Sequence, residues 1–247
     1  MISVCMAVYN GERYLLRQLE SILGQLAAGD EIVIVDDAST DSSKDIIVSL
    51  NDARIRFLTN ERNQGVLKSF ERALRETQGD YIFFSDQDDV WASDKVTHVL
   101  ECFKETDSLA VVTDAKVING AGGINQESYF KWRNSGPGFL KNSFKNTFLG
   151  CCMAIRKECK RFLLPFPPFA YMHDRWIGLA CTIVGSVKFL PQQLLIYNRH
   201  DATVTRMQPS NGLEIIRLRV LLALSMLISL PRLLRWRRKF SLCGKNH

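Results

Sequence analysis

The chain has 247 residues, which fits one large domain with an appendage or two small domains and suffices for a core that needs no disulfides. Residues 215–247 hold eight of the 32 lysines and arginines and no acidic residue, so the net charge of +6 comes from the C-terminal tail and residues 1–214 are slightly acidic. This distribution excludes a uniformly basic nucleic-acid-binding domain, and no nucleic-acid partner is expected.

Strands and helices alternate along the first 110 residues. Apolar runs of strand length predict β-strands at 2–9, 31–35, 54–58, 81–85 and 109–113. Helices are predicted between them, at 12–26, 40–50 and 66–77. The strands are apolar on both faces, which is typical of a parallel sheet that helices cover on both sides. The predicted fold class is therefore α/β.

The pattern is less regular after residue 110. Residues 119–143 are rich in Gly, Asn and Ser and predict a loop, and an apolar segment follows at 147–155. A helix is predicted at 175–184 and a strand at 186–196. The seven cysteines form no C-x-x-C pair and no signal peptide precedes the first apolar run, so we expect reduced, buried thiols in a cytoplasmic protein.

The C-terminal tail, residues 206–247, has an apolar part and a basic part. Residues 220–230 are uncharged and mostly aliphatic, but a bilayer span needs about 20 apolar residues. Five basic residues follow between Arg232 and Lys239. A basic amphipathic tail of this kind can lie in the headgroup layer of an anionic membrane, and we expect such a contact over residues 213–240. A packed C-terminal helix and a dimer contact are the alternatives.

Acidic residues follow two predicted strands, at the edge where open parallel sheets bind their ligands. Asp36 and Asp37 can accept hydrogen bonds from a nucleobase or a ribose, or can cap the next helix. Asp86, Asp88 and Asp89 lie within four residues, and hard oxygen ligands on a short loop suit Mg²⁺ or Mn²⁺. Such an ion would bridge to a diphosphate; the alternative is a solvated acidic turn.

A further carboxylate, Asp174, lies in the segment H-D-R-W at 173–176. It is a candidate general base, because neighbouring aromatic side chains would raise its pKa usefully. It can also cap the helix predicted at 175–184, and the two roles are compatible. The sequence offers no convincing protein nucleophile, since the cysteines lack a nearby histidine in a recognisable arrangement.

Four segments together resemble the inverting glycosyltransferases of family 2, which have the GT-A fold. They are V-C-M-A-V-Y-N-G at 4–11, I-V-I-V-D-D-A-S-T-D at 32–41, N-Q-G at 63–65 and F-F-S-D-Q-D-D-V-W at 83–91. Four motifs are similar to the bacterial rhamnosyltransferase-like branch of the family. They are S-D-Q-D-D-V-W at 85–91, G-C-C-M-A-I at 150–155, H-D-R-W at 173–176 and Y-N-R-H at 197–200. The resemblance covers residues 1–205, and its specificity lies in the order and spacing of the motifs.

The resemblance implies a nucleotide pocket and a metal site. The residues that would line the nucleotide pocket are Ala7, Tyr9, Glu12, Asp36, Asp37, Asn63, Gly65, Asp86 and Gln87. Asp37 resembles the aspartate that pairs with the base, and Asp86 and Asp88 match the two ends of the family's D-x-D motif. Asp88 would be the closest metal ligand, with Asp86 facing the ribose or sugar. His200 would touch the metal or the diphosphate; the alternative is a structural histidine.

The resemblance also implies the catalytic base and the acceptor side. Asp174 matches the family's base, and Gly150, Cys151 and Cys152 would form a wall of the acceptor pocket. The reaction would be a single in-line displacement that uses a divalent metal, Mg²⁺ or Mn²⁺.

The implied function is transfer of a sugar from a nucleotide-sugar donor to a saccharide or lipid-linked oligosaccharide acceptor, in the assembly of bacterial O-antigen or capsule. The first expected donor is dTDP-L-rhamnose; UDP-glucose, UDP-galactose or another donor is the alternative. A nucleotide-sugar half at 1–110 and an acceptor half at 111–205 are expected, on the cytoplasmic face of the inner membrane. A nucleotide-sugar-binding module without turnover is a second alternative. A Rossmann-type oxidoreductase is disfavoured because G-x-G-x-x-G is missing after the first strand.

Overall fold

The structure, a computed structural model, describes residues 1–200 and 212–243, with side chains up to Phe240. The β-strands are β1 Ile2–Val8, β2 Glu31–Asp36, β3 Ile55–Thr59, β4 Tyr81–Ser85, β5 Val90–Trp91, β6 Ala110–Asn119, β7 Ile124–Gln126, β8 Met153–Arg156 and β9 Val187–Arg199. The α-helices are α1 Leu15–Leu23, α2 Ser43–Ser49, α3 Val66–Glu76, α4 Lys95–Glu105, α5 Tyr129–Arg133, α6 Phe139–Phe144, α7 Lys160–Leu163, α8 His173–Val184 and α9 Gly212–Cys243. Short 3₁₀ turns lie at Gly150–Cys152 and Lys157–Cys159.

The strands form one sheet in the order β3-β2-β1-β4-β8-β6-β9-β5, with β7 beside β6. The first four strands are parallel, and all six residues of β2 are buried because the run is apolar on both faces. Helix α1 buries Leu15, Leu19 and Ile22, whose spacing places them on one side of the helix. The predicted α/β fold is confirmed, and the predicted parallel sheet describes the part of the chain up to Ser85.

The second half of the sheet is mixed, because β8 runs antiparallel to both of its neighbours, β4 and β6. Strand β9 is parallel to β6 and antiparallel to the short strand β5. The apolar segment predicted at 147–155 is therefore divided between the 3₁₀ turn at Gly150–Cys152 and β8. The antiparallel direction of β8 places this turn beside the carboxyl end of β4.

The loop predicted at 119–143 is shorter than expected. Strand β7 and helices α5 and α6 lie within it, and Ser128 caps α5 by accepting a hydrogen bond from the Lys131 N–H. The helix predicted at 175–184 begins two residues earlier, at His173.

The C-terminal helix α9 packs on the domain. Its 32 residues contact α6, α7 and α8, and Arg232 donates hydrogen bonds to the carbonyls of Leu164 and Pro165. Leu222, Ser225, Ser229 and Leu233 are buried and recur at helical spacing. The predicted boundary between residues 205 and 206 lies outside the described residues, as does Lys245.

Helix α9 is less amphipathic than the sequence suggests, because its solvent-exposed side also carries apolar side chains. The middle of the helix is therefore apolar on both its buried and its exposed side, and the basic residues lie toward its two ends. The exposed large apolar residues of α9 are Leu213, Ile215, Ile216, Val220, Leu224, Leu227, Ile228, Leu230 and Leu234. No helix within residues 1–200 or 212–243 combines the length and apolar character that crossing a membrane requires.

Candidate active site

The site lies where the sheet order reverses direction. Strand β1 has β2 on one side and β4 on the other, so the segments that follow β1 and β4 flank a crevice at their carboxyl ends. One side chain connects these two segments: Gln87 accepts a hydrogen bond from the Tyr9 N–H at 2.8 Å and donates one to the Tyr9 carbonyl at 3.0 Å. Tyr9 itself is 47% exposed at the rim of this crevice, which leaves its ring accessible to a ligand.

The segment after β1 is also tied to the start of α2. The Glu12 N–H donates to Asp41 at 2.9 Å, and the Glu12 carboxylate accepts from the Ser42 N–H at 3.0 Å. Ala7, near the end of β1, is partly buried, and Gly11 lies so close to Gln87 that a Cβ at this position would stand 2.6 Å from Gln87 Oε1. A larger residue here would displace the Gln87 amide from its contact with Tyr9.

The aspartates at the end of β2 are both buried. Asp37 accepts hydrogen bonds from the Asn60 amide at 2.7 Å and from the backbone N–H groups of Gln64 and Gly65 at 2.9 and 2.8 Å. The carboxylate therefore holds the segment that contains the predicted pocket residues Asn63 and Gly65. Asn63 is exposed, and Gly65 has a φ of 88°, which favours glycine.

Asp36 is shielded from solvent. Its Oδ2 accepts from the Ser39 N–H at 3.2 Å and lies 3.6 Å from Lys44 Nζ. Its Oδ1 has no hydrogen-bond partner among the described residues. The structure thus gives both aspartates a function in ordering the loops, and contact of Asp36 or Asp37 with a base stays a prediction.

The carboxylates after β4 form a cluster at the bottom of the crevice. Asp88 Oδ2 lies 2.9 Å from His200 Nε2, which brings together two of the three predicted metal ligands. The His200 ring stacks on Tyr14, with ring centres 4.7 Å apart. Burial raises the pKa of Asp88, and the hydrogen bond and the charge of His200 oppose that rise.

Asp86, the third predicted ligand, lies in a different part of the cluster. Side-chain atoms of Asp86, Asp89 and Cys151 approach within 4.8 Å of one another. Burial, together with the nearby charges of Asp88 and Asp174, raises the pKa of Asp86 to about 7. The 3₁₀ turn at Gly150–Cys152 connects Asp174 to the acidic cluster. A Cβ on Gly150 would lie 3.5 Å from Asp174 Cβ, and the side chain of Cys151, the next residue, lies within 4.8 Å of the Asp86 and Asp89 carboxylates.

Asp89 and Lys95 complete the cluster, and the sequence motifs assign neither of them an individual function. Asp89 is 1% exposed and accepts from the Asn198 N–H at 3.0 Å, while its Oδ2 is buried without a hydrogen-bond partner in the described part of the chain. Lys95 is equally buried and donates to the Cys151 carbonyl at 2.7 Å. Burial lowers the pKa of Lys95, and the carboxylates Asp89 and Asp86 act in the opposite direction. A lysine within the buried face of α4 is the signal that could have identified it.

The cluster is suited to a hard divalent cation. Carboxylate oxygens on one short loop are the ligands that Mg²⁺ and Mn²⁺ prefer. Burial, followed by the charges of the neighbouring carboxylates, raises the pKa of Asp86 and of Asp89, and a bound cation would favour their ionised forms. The buried Oδ2 of Asp89, which lacks a partner, is a further oxygen that a cation would satisfy. The residues present therefore fit such an ion.

Asp174 lies in the first turn of α8, inside the helix rather than at its cap. It is 4% exposed, and it accepts hydrogen bonds from the Arg175 N–H at 2.6 Å and from the Asn146 amide at 3.1 Å. Burial raises its pKa to about 6, although both hydrogen bonds favour the ionised form. Asn146 has no sequence motif that could have identified it, because its contact depends on how α6 packs against α8.

The neighbours of Asp174 fix its position. His173 is stacked on Phe70, with ring centres 4.0 Å apart, and burial lowers its pKa to about 3, so the ring is neutral. A Cβ on Gly150 would lie 2.4 Å from His173 Nε2 and 3.5 Å from Asp174 Cβ. Gly150 is buried against Asp174, and Cys151 and Cys152 are buried beside it in the same 3₁₀ turn; a place for the three residues in an acceptor wall stays a prediction.

Comparison with known proteins identifies the class. Residues 3–162 match the model of glycosyl transferase family 2. The chain belongs to this family of glycosyltransferases.

Two relatives show how far the similarity extends. The chain is 30% identical over 215 residues to an uncharacterised glycosyltransferase of Nostoc sp., a match that covers 81% of this chain and 65% of that protein's length. It is 26% identical over 181 residues to the Escherichia coli UDP-Glc:alpha-D-GlcNAc-diphosphoundecaprenol beta-1,3-glucosyltransferase WfgD, covering 73% of this chain and 69% of the relative.

Among solved structures, TarS of S. aureus, residues 1–349 in complex with UDP, superposes with a TM-score of 0.68 at 20% identity. The superposition covers 99% of this chain and 73% of the TarS chain. At this identity the similarity establishes the fold, which is GT-A.

Proposed function

We propose that the protein transfers a sugar, with inversion, from a pyrimidine-nucleotide sugar to a hydroxyl of a lipid-linked saccharide, in the synthesis of a bacterial cell-surface polysaccharide. The single observation that carries this proposal is the convergence of Asp174 with the acidic cluster Asp86, Asp88 and Asp89. A general base and a place for a diphosphate with its cation are the two things that a one-step displacement at an anomeric carbon requires.

Asp174 would act as the base. With a pKa of about 6 it is ionised at neutral pH, yet it remains basic enough to take the proton of the attacking hydroxyl. The hydrogen bonds from Asn146 and from the Arg175 N–H hold the carboxylate in one orientation. His173, neutral and stacked behind it, excludes water from this side of the base.

Asp88, His200, Asp86 and Asp89 would hold the divalent cation. When bound, such an ion is a Lewis acid that stabilises the negative charge on the departing nucleoside diphosphate. Tyr9 and Gln87 would border the nucleotide from the segments after β1 and β4, and Asn63 would border it from the loop that Asp37 holds. Donor and acceptor held in line between this crevice and Asp174 would react without a protein nucleophile.

The identity of the donor is part of the proposal. dTDP-L-rhamnose is the donor expected from the motifs, whereas the names of WfgD and the TarS complex involve uridine nucleotides. Both nucleotides carry a pyrimidine base and a diphosphate, which is the chemistry that the crevice is proposed to recognise. A diphosphoundecaprenol-linked saccharide, as in the name of WfgD, is the proposed class of acceptor, at the cytoplasmic face of the inner membrane.

The test is thermal unfolding of the purified protein with dTDP, UDP and GDP, each with and without Mn²⁺. A ligand at about 100 times its Kd stabilises the native state by about 2.7 kcal/mol. For a chain of this size that corresponds to a rise in Tm of roughly 5–10 °C. We expect a Mn²⁺-dependent rise with dTDP or UDP that GDP does not give.

Asp88→Ala is the test variant. It should abolish the rise in Tm, because it removes a carboxylate that is proposed to hold the cation together with His200. Asp94→Ala is the control, since Asp94 is exposed at the start of α4. Transfer of sugar from dTDP-rhamnose, UDP-glucose or UDP-GlcNAc then identifies the donor. Metal-dependent nucleotide binding without transfer to any acceptor would favour the binding module instead.

A further inference from the structure

An exposed apolar surface extends over two helices next to the active site. On α6 it consists of Leu140 and Phe144, which are 70% and 67% exposed. On α9 it consists of Leu213, Ile216, Val220, Leu224, Leu227 and Leu234. We call these residues the α6–α9 surface. A water-exposed patch of this kind on a folded domain marks a site of interaction.

The two helices present one continuous surface. Helix α6 contacts α9, and the Arg219 guanidinium lies 5.6 Å from the centre of the Phe144 ring. Leu140 and Phe144 are four residues apart and therefore lie on the same side of α6. The sequence pattern indicated only the apolar run of the tail, because α6 is too short to show a periodicity.

The charges around this surface are mainly positive, and the one acidic residue of α9 is Glu214 in its first turn. Residues 215–243 contain no acidic residue, and residues 128–157 contain none either. The basic residues of the two segments include Lys141 and Lys145 on and beside α6 and Arg217, Arg235 and Arg238 on α9. An apolar patch bordered by lysines and arginines is complementary to a membrane with anionic headgroups.

A second copy of the chain fits this surface less well. A two-fold interface brings the same patch of both subunits together. The basic residues at the two ends of α9 would then face the basic residues of the other copy and repel them. An anionic bilayer neutralises these charges and also accepts the apolar side chains.

We infer that the α6–α9 surface lies on an anionic phospholipid bilayer and presents the base side of the active site to it. Phe144 is two residues from Asn146, whose amide donates to Asp174. The Ser143 carbonyl accepts a hydrogen bond from the Arg175 guanidinium, so α6 and the loop after it are each attached to the first turn of α8. A saccharide on a lipid carrier would approach Asp174 from this side. This inference rests on the proposed function for its acceptor, but not for membrane binding itself.

The experiment is sedimentation of the full chain with vesicles of phosphatidylcholine alone or mixed with phosphatidylglycerol. We expect binding that requires phosphatidylglycerol and that weakens as salt is added. The variant Leu140→Glu with Phe144→Glu should bind at least about tenfold more weakly, because two apolar side chains that would enter the bilayer become charged. Val220→Glu with Leu227→Glu should have a similar effect.

Val48→Glu is the matched control, since Val48 is 65% exposed on α2, outside the surface. It should bind vesicles as the original chain does. Equal binding by the α6 variant, or no binding by the original chain, would overturn the inference. So would a dimer in gel filtration that the same variants convert to a monomer, because it would assign the surface to a second copy.

The nucleotide-dependent rise in Tm separates this inference from the proposed function. Loss of vesicle binding with an unchanged rise is the expected result for the α6 variant. If the original chain binds vesicles but none of the nucleotides stabilises it, the proposed function is contradicted. The inference about membrane binding is not.

Discussion

The side-chain amide of Gln87 makes both of its hydrogen bonds with the backbone of Tyr9, and so it joins the segment after β4 to the segment after β1. These two segments form the walls of the crevice in which the nucleotide is proposed to bind. Beyond the paired parts of β1 and β4, Gln87 holds the two segments together, and the glycine at position 11 leaves room for its side chain.

Gln87→Ala should weaken Mn²⁺-dependent nucleotide binding about tenfold or more. Two hydrogen bonds of about 1 kcal/mol each are lost, and the crevice is no longer held at its binding width. Calorimetric titration with UDP or dTDP measures the effect. Gln78→Ala, an exposed residue before the start of β4, is the control. An unchanged Kd for Gln87→Ala would show that the crevice keeps its shape without this contact.

Asp174→Asn should lower kcat about 10²–10⁴-fold while nucleotide binding is retained. The amide keeps the size and packing of the carboxyl group but cannot accept the proton. Because the base works only when ionised and its pKa is about 6, kcat/KM of the original chain should be constant above that pH and fall about tenfold per unit below it. Assays at saturating Mn²⁺ keep the acidic cluster ionised. A flat profile down to pH 5 would mean that another group is the base.

Asn146→Ala should move this acid limb to higher pH. The Asn146 amide stabilises the ionised form of Asp174, so its removal raises the pKa of the base, while kcat on the alkaline plateau changes less. Asn146→Ser, which keeps a donor, should restore part of the original profile. Asn125→Ala, exposed on β7, is the control. A uniform loss of rate at every pH would indicate a structural function only.

Gly178→Ala should destabilise the fold. A Cβ there would lie 2.4 Å from the Phe148 ring, whose side chain is buried and cannot move away. Overpacking of this kind costs about 1–3 kcal/mol of folding stability. The higher helix propensity of alanine returns about 1 kcal/mol, which offsets only the smallest cost in that range. Thermal unfolding would record a lower Tm. Gly29→Ala, with no atom within 4 Å of the added methyl group, should leave the Tm near its original value.

The sequence predicted the part of the fold that depends on local pattern. Strands β1, β2 and β4 contain continuous apolar runs, and a buried parallel strand needs no other signal, whereas β3 is partly exposed and contains Arg56. Helices α5 and α6 were missed because five or six residues cannot show a helical period. The antiparallel direction of β8 could not be predicted either, because its apolar residues would suit a parallel or an antiparallel strand.

The candidate site likewise contains some residues that the sequence predicts and others that only the structure reveals. Residues at the ends of the parallel strands, such as Asp86 and Asp88, were predictable because the sheet brings strand ends to one edge. Lys95 and Asn146 reach the site through tertiary packing, from a helix face and from a loop after α6. Both residue types are common in solvated positions. The spacing of Lys95 with Val99 and Cys102 on α4 is the one signal that the sequence offers for the lysine, and nothing in the sequence separates Asn146 from a surface residue.

The reversed strand β8 has a consequence for biosynthesis. Strand β4 carries the acidic cluster at its end, but its outer edge finds its partner only when Met153–Arg156 has been synthesised. During translation the nascent β1–β4 sheet therefore presents an unpaired edge of buried, apolar residues, which is the kind of edge that associates with other chains. Cys151 arrives with β8 and His200 after β9, so the proposed cation site can be assembled only after both of these segments have been synthesised.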